Sequence, residues 1–357
     1  MNIQKTKPVL QALAAAILFG ASTPLSKVLL TKVDPIGMAA LLYLGTGLGL
    51  AILKGIGSRK TALLRAEARI TRQDLPWLAG AVISGGILAP IVLMVSLEKT
   101  PAATASLLLN FEGIATALIA FVIFREAIGR SIWLAVAAIT AGSILLSWIP
   151  GGGLGFSPGA LGILLACLLW SLDNNFTRHI SAKDPRTIVM IKGLVAGFFN
   201  LAIWLWNGGA VPAIGEILAA MLLGFFSYGL GIVLFILALR GLGSARTGAL
   251  YSIAPFVGAA LSLIIFRETP GALFLAALPL MITGTALLAW ENHEHEHVHD
   301  EHVHEHNHDH NDGHHDHAHK ENTPKQAGAH CHEHRHESLR HSHAHAPDIH
   351  HRHAHGE

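Results

Sequence analysis

The chain has 357 residues, 51% of them hydrophobic and only 14% charged. Soluble globular chains carry about 25% charged residues, so an ordinary soluble domain is excluded. Residues 1–290 hold 20 Lys and Arg against 10 Asp and Glu, and residues 291–357 hold 5 against 14, which divides the chain into an apolar basic body and an acidic tail.

Apolar runs of about 20 residues are long enough to cross a bilayer as helices. The body contains ten. Span 1 (8–30) continues into KVLLTKVDP with no small-residue cleavage site, so it is read as a span and not a signal peptide. It carries Ser22 and Thr23 before Pro24. Span 2 (36–54) presents Gly45 and Gly49, small residues suited to close helix packing or to a homodimer face. Span 3 (76–97) contains Pro90, and span 4 (101–124) contains Asn110 and Glu112 in NFEG. Span 5 (131–149) leads into PGGGLGFSP. Span 6 (157–180) is the most polar, with Ser171, Asp173, Asn174, Asn175 and Thr177 in quick succession. Its Cys167 is read as core packing, and His179 at its end as a loop residue that shares a helix face with Asn175. Span 7 (187–206) carries Lys192 together with Gly193 and Gly197. Spans 8 (216–239), 9 (244–266, with Pro255) and 10 (271–290) complete the body.

Basic residues in short loops set orientation. Lys54, Arg59, Lys60, Arg65, Arg69 and Arg72 fall between spans 2 and 3. Arg178, Lys183 and Arg186 fall between spans 6 and 7, and Lys5 and Lys7 at the N-terminus. All lie on one side if both termini are cytoplasmic.

The chain also repeats itself. TALIAFVIFREAIGRSIWLAVAAITAGSILLSW (116–148) aligns with GAALSLIIFRETPGALFLAALPLMITGTALLAW (258–290) at an offset of 142, with IFRE at 123–126 and again at 265–268. Each half has five spans. An odd number makes the second half enter from the opposite side, the inverted-repeat plan of many secondary transporters. The expected organisation is a first repeat over 1–149, a periplasmic linker over 150–156, a second repeat over 157–290 and a tail over 291–357.

Two five-span halves, each with an IFRE turn and a closing AG or TG helix, resemble the EamA branch of the drug/metabolite transporter superfamily over residues 8–290. The resemblance implies an all-α bundle in a bacterial inner membrane, moving a small solute by alternating access. A histidine-rich extension in turn resembles the cobalt–nickel resistance exporters of that superfamily. The solute itself is not named by the resemblance.

Ionisable groups inside a bilayer are costly and usually face a cavity or a partner. Glu112, Asp173 and Lys192 lie deepest in their spans. Lys192 has two bland readings, snorkelling to the interface or pairing with Asp173. The amides read equally as glue between helices. Near an offset of 151, Ser22 and Thr23 are the mates of Asp173 and Asn174, and Pro24 is the mate of Asn175. Prolines inside spans interrupt helices, which is where transporter sites form. Spans 1, 4, 6 and 9 are therefore expected around a central cavity, and the expected binding set is Ser22, Thr23, Asn110, Glu112, Asp173, Asn174, Asn175 and Lys192. Carboxylate and amide oxygens suit a divalent cation, and equally the ammonium of an amino acid.

The tail tips the balance towards metal. It holds 24 of the 25 histidines, many in HEHEHVHDEHVHEHNHDHNDGHHDHAH (293–319). Imidazole is the commonest transition-metal ligand near neutral pH. The expected ligands for Ni, Co, Zn or Cu are His293, His295, His297, His299, His302, His304, His306, His308, His310, His314, His315, His317, His319 and Cys331. With little apolar content the tail is expected to be disordered without metal. No obligatory cofactor, nucleotide or nucleic-acid partner is expected. No GxxxxGK[ST] loop and no nucleophile–base pair argues for an enzyme, so there are no expected catalytic residues. The tail then concentrates nickel or cobalt for a proton-coupled exporter. The alternative is an exporter of amino acids or small metabolites whose tail is only a metal buffer or sensor.

Overall fold

The computed structural model describes residues 3–57, 70–124, 129–149, 156–180, 183–242 and 244–289 of the body. Of the tail it describes 294–299, 302–308, 330–336 and 339–344. Among the described residues ten helices are long and apolar enough to cross a membrane. They are Lys7–Leu29, Pro35–Gly55, Arg72–Glu98, Ala102–Ile123, Arg130–Ser147, Pro158–His179, Pro185–Trp206, Ile214–Ala238, Arg246–Phe266 and Ala272–Ala289. We keep the numbers 1–10 for these spans. Their starts are written in the sequence. Pro35, Pro158 and Pro185 open their helices, where a missing N–H costs nothing. Ser157 and Asp184 cap theirs, accepting from Ala160 N at 3.3 Å and Arg186 N at 3.0 Å.

Apolar side chains such as Ile52, Val122, Leu222 and Ile264 point outwards and are exposed on the isolated chain. Lipid is their natural solvent, so a soluble surface pattern is not needed. The interior is closed instead by small residues and paired polar groups.

Five spans are interrupted. Span 1 breaks at Ala21, between Ile3–Gly20 and Ser22–Leu29. Span 3 passes through a π-helical stretch, Val82–Leu88, before resuming as Ala89–Glu98. Span 4 breaks at Leu109 and Asn110, and span 9 at Ser252 and Ile253. Span 8 has its own π-helical stretch, Phe225–Leu230. Pro24, Pro90 and Pro255 each lie in the first turn of the piece that follows a break, as proline requires. The π-stretches of spans 3 and 8, and the breaks of spans 4 and 9, recur within one residue of the 142-residue repeat.

The π-stretch of span 3 is stitched to its neighbours. An extra residue per turn leaves carbonyls without their helical partners. The Gly85 carbonyl accepts from Tyr43 Oη at 2.6 Å and from Trp170 Nε1 at 3.0 Å. The Gly86 carbonyl accepts from Asn200 Nδ2 at 3.2 Å. Spans 2, 6 and 7 thus each supply one donor. The double variant Tyr43→Phe/Trp170→Phe leaves Gly85 with neither donor. It should cost about 1–3 kcal/mol, the usual penalty for an orphaned buried acceptor. Thermal unfolding in detergent checks this, and an unchanged midpoint would remove the stitching role.

Spans 2, 7 and 8 pack through glycine. A Cβ on Gly193 would meet Gly47 N at 2.7 Å, and one on Gly197 would meet Leu44 N at 2.7 Å. A Cβ on Gly45 would strike the Met221 backbone, and one on Gly49 the Phe225 ring. The small-residue faces offered by the sequence as either packing or a dimer surface are therefore filled from within the chain.

In the tail, β1 (Glu294–His299) pairs antiparallel with β4 (Leu339–Ala344), and β2 (His302–His308) with β3 (His330–His336). The H-x-H alternation is a strand period, and pairing satisfies the backbone.

Candidate functional site

The polar cluster is built where the interrupted spans meet span 6. The break at Leu109 and Asn110 makes Phe111 the first residue of a new helical piece, so Glu112 stands in its first turn. A carboxylate there sits at the positive end of the peptide dipoles. Ser171 Oγ donates to the Glu112 carbonyl at 3.0 Å and Thr116 Oγ1 does so at 2.8 Å. Asn174 Nδ2 reaches across from span 6 to Glu112 Oε1 at 2.9 Å. Asn175 Nδ2 donates to the Thr116 carbonyl at 3.2 Å. Spans 4 and 6 are therefore knitted together around the Glu112 carboxylate.

One residue before Asn174, the buried Asp173 faces the other way, towards spans 3 and 7. Its carboxylate pairs with Lys192 Nζ and accepts from Thr177 Oγ1 at 3.0 Å. Gly85 of the π-stretch lies so close that a Cβ there would collide with that carboxylate. The glycine is thus required to let Asp173 approach, and its carbonyl is the one that Tyr43 and Trp170 cap. Of the two bland readings of Lys192, the salt bridge to Asp173 is the one present.

The other sequence candidates fall into place differently. Asn110 is adjacent to Glu112 in sequence but does not join it. Its Nδ2 donates to the Leu107 carbonyl at 2.9 Å and its Oδ1 accepts from Thr285 at 3.0 Å, tying the break to span 10. Ser22 and Thr23 are buried, and Phe19 of the same span meets the Tyr228 ring edge to face with centroids 5.8 Å apart. Tyr228 stacks on Tyr43 with ring centroids 6.0 Å apart, which links span 1 to the cluster through aromatic rings. Phe19 and Tyr251 extend this aromatic group, with centroids 5.7 Å apart. His179 stacks on Trp77 at 3.9 Å and 10°, and its Nδ1 lies 2.9 Å from the Asn175 carbonyl. Its tie to Asn175 thus runs through the backbone.

Sequence reasoning missed Tyr43, Trp170, Thr116 and the Gly85–Gly86 pair. The glycines carried a signal, since SGG in mid-span followed by Pro90 marks a distorted helix. The aromatics carried none, because Tyr and Trp in an apolar run read as packing.

Among the described residues no three His, Cys, Asp or Glu side chains come together as a metal cage. In the tail, His295, His297 and His299 lie in β1, and His302, His304, His306 and His308 in β2. Cys331 lies in β3, in register with Asn307. His293, His310, His314, His315, His317 and His319 lie outside the described residues.

Comparison with known proteins agrees with this architecture. An "Uncharacterized transporter" of Methanothermobacter thermautotrophicus is 29% identical over 296 residues, covering 78% of this chain and 84% of that protein. A solved crystal structure aligns with a TM-score of 0.54 at 18% identity, over 78% of this chain and 94% of its own, a likeness of fold alone. The EamA-like transporter family matches twice, over residues 6–148 and again over residues 157–290. With most of its length matched in two copies, this multi-pass membrane protein belongs to the EamA-like transporter family.

Proposed function

We propose that the chain is a secondary transporter that exports a divalent transition-metal cation, nickel or cobalt first, by proton antiport. In this reading it sits in a bacterial inner membrane with both termini cytoplasmic, and spans 4 and 6 hold the cation. The observation that carries it is the Glu112–Asn174 bond, which keeps one carboxylate against span 6 at the residue next to a second, Asp173, whose carboxylate faces spans 3 and 7. Two carboxylates, an amide and the Thr116 hydroxyl make an oxygen-rich, weakly held set, suited to an ion that must leave again. Lys192 supplies the positive charge that the cation replaces. As the cation departs, protons return to the carboxylates. The histidine tail, at the cytoplasmic mouth, raises the local metal concentration and delivers ions to the bundle.

A second reading is an exporter of amino acids or other small metabolites, with the tail a metal buffer. The Asp173–Lys192 pair beside Glu112 favours it, since a zwitterion needs one site of each sign. Radiolabelled nickel uptake into inside-out vesicles separates the two. We expect proton-dependent uptake by the full chain, reduced but present when the chain ends at Glu291, and abolished in Glu112→Gln and Asp173→Asn. Labelled amino acids entering the same vesicles, with no nickel uptake by the full chain, would replace the first reading with the second.

A further inference from the structure

The polar cluster does not use Lys27, whose ammonium donates to three backbone carbonyls. Its Nζ leaves span 1 and reaches the C-terminal end of span 3. It donates to Leu97 O at 2.5 Å, Glu98 O at 2.9 Å and Thr100 O at 3.1 Å. The last carbonyls of a helix have no partner within it and carry the negative end of its dipole, so an ammonium is their natural complement. Glu98 and Glu268 add negative charge on the same ammonium. Glu268 belongs to the second IFRE, and Arg267 before it takes a left-handed conformation at φ 51°, which ends span 9 there. Odd-numbered spans run in one direction, so the ends of spans 1, 3 and 9 share one face of the membrane. One ammonium therefore bonds the ends of spans 1 and 3 together at a single mouth, on the face where span 9 also ends.

The repeat gives this arrangement a mate. The offset of 151 that sets Ser22 on Asp173 sets Lys27 on Arg178, and the offset of 142 sets Glu268 on Glu126. Arg178 ends span 6, an even-numbered span, at the opposite face. A basic residue is thus provided once at each end of the bundle, while Glu126 lies outside the described residues.

We propose that Lys27 is the clasp that shuts one mouth of the transport path, and that Arg178 is its counterpart at the other. When the Lys27 mouth opens, spans 1 and 3 part, and the ammonium and three carbonyls exchange their bonds for water. When it closes, the bonds re-form and the opposite mouth is released. The salt bridge Lys32–Glu216 at 3.5 Å ties the same rim to the start of span 8, with the Lys32 side chain largely exposed. Pairs of this kind contribute little, whereas the clasp bonds helix to helix. The proposal rests on the alternating-access reading but not on any particular cargo.

The test is a distance measurement on the full chain in lipid nanodiscs. Spin labels go at Thr31→Cys and Lys99→Cys, beside the ends of spans 1 and 3, with Cys167→Ala and Cys331→Ser removing the native thiols. With Lys27 present the distribution should be dominated by a short distance. Lys27→Met should add a population longer by about 5 Å, the scale of one helical turn. Lys27→Arg should restore the short one, and Arg178→Met should deplete the long one. A distribution unmoved by Lys27→Met overturns the proposal. So does a lowered melting temperature with an unmoved distribution, which would make Lys27 a static helix cap. If Lys27→Met does not fold, Lys27→Gln, which still donates but carries no charge, is read in the same way. No cargo enters the measurement, so nickel transport can fail while the clasp still opens.

Discussion

Asp173→Ala should destabilise the bundle by about 3–5 kcal/mol, the usual consequence of leaving one member of a buried pair without the other. The cause is Lys192. Its side chain retains only 18% of its exposure, and the Asp173 side chain 6%, so water cannot take over the solvation of the stranded ammonium. The same logic predicts rescue. Removing both charges in Asp173→Asn/Lys192→Met should recover most of the lost stability, because a matched apolar and amide pair has no uncompensated charge. Transport should not recover, since the cation set has lost a carboxylate. Thermal unfolding with vesicle uptake on these two variants and the unaltered chain reads both quantities. A double variant no more stable than the single one would mean that Asp173 stabilises through Thr177 and the π-stretch and not through Lys192.

Gly224→Ala should be the most damaging methyl addition in the protein. The new Cβ would overlap the Leu42 backbone, where spans 2 and 8 touch, and backbone cannot step aside as a side chain can. Thr46 Oγ1, which bonds the Gly224 carbonyl at 2.9 Å, would be displaced with it. Overpacking of this kind costs about 1–3 kcal/mol, with the lost bond in addition. Gly215→Ala is the control. Nothing lies within 4 Å of its Cβ position, and it sits in the first turn of span 8. It should be neutral or slightly stabilising, because alanine narrows the unfolded ensemble. Folded yield and melting temperature of the two variants, side by side, decide the matter. Equal behaviour would show that the contact between spans 2 and 8 is looser than described.

Much of this architecture was legible before any coordinates. The ten spans were legible because length and hydropathy alone determine what can cross a bilayer. Pro24, Pro90 and Pro255 announced three of the interruptions, since proline forbids the bond that would bridge them. The break at Asn110 and the π-stretch of span 8 had no such marker. A π-turn is a change of register, and register leaves no trace in composition. Glu112, Asp173 and Lys192 stood out because charge inside an apolar run is expensive. Which groups they meet was less visible. Asn110 and Glu112 look like one motif in NFEG, yet the break between them sends one side chain to span 10 and the other to span 6. Trp170 looked like packing because its ring is apolar, and only its N–H reveals the bond to Gly85. The tail was legible as a density of histidine, but not as paired strands, because which segments pair is decided by turns that composition does not specify.

The distribution of interruptions has a mechanical consequence. Spans 2 and 7 run unbroken from Pro35 to Gly55 and from Pro185 to Trp206, locked together by glycine against backbone. They behave as a spine. Spans 1, 3, 4, 8 and 9 are jointed, and their joints fall within the spans and not at their ends. A jointed rod can swing its outer half while its inner half stays seated. The protein can therefore move either rim without dragging Asp173 away from Lys192, so that the buried pair stays still while the spans around it swing.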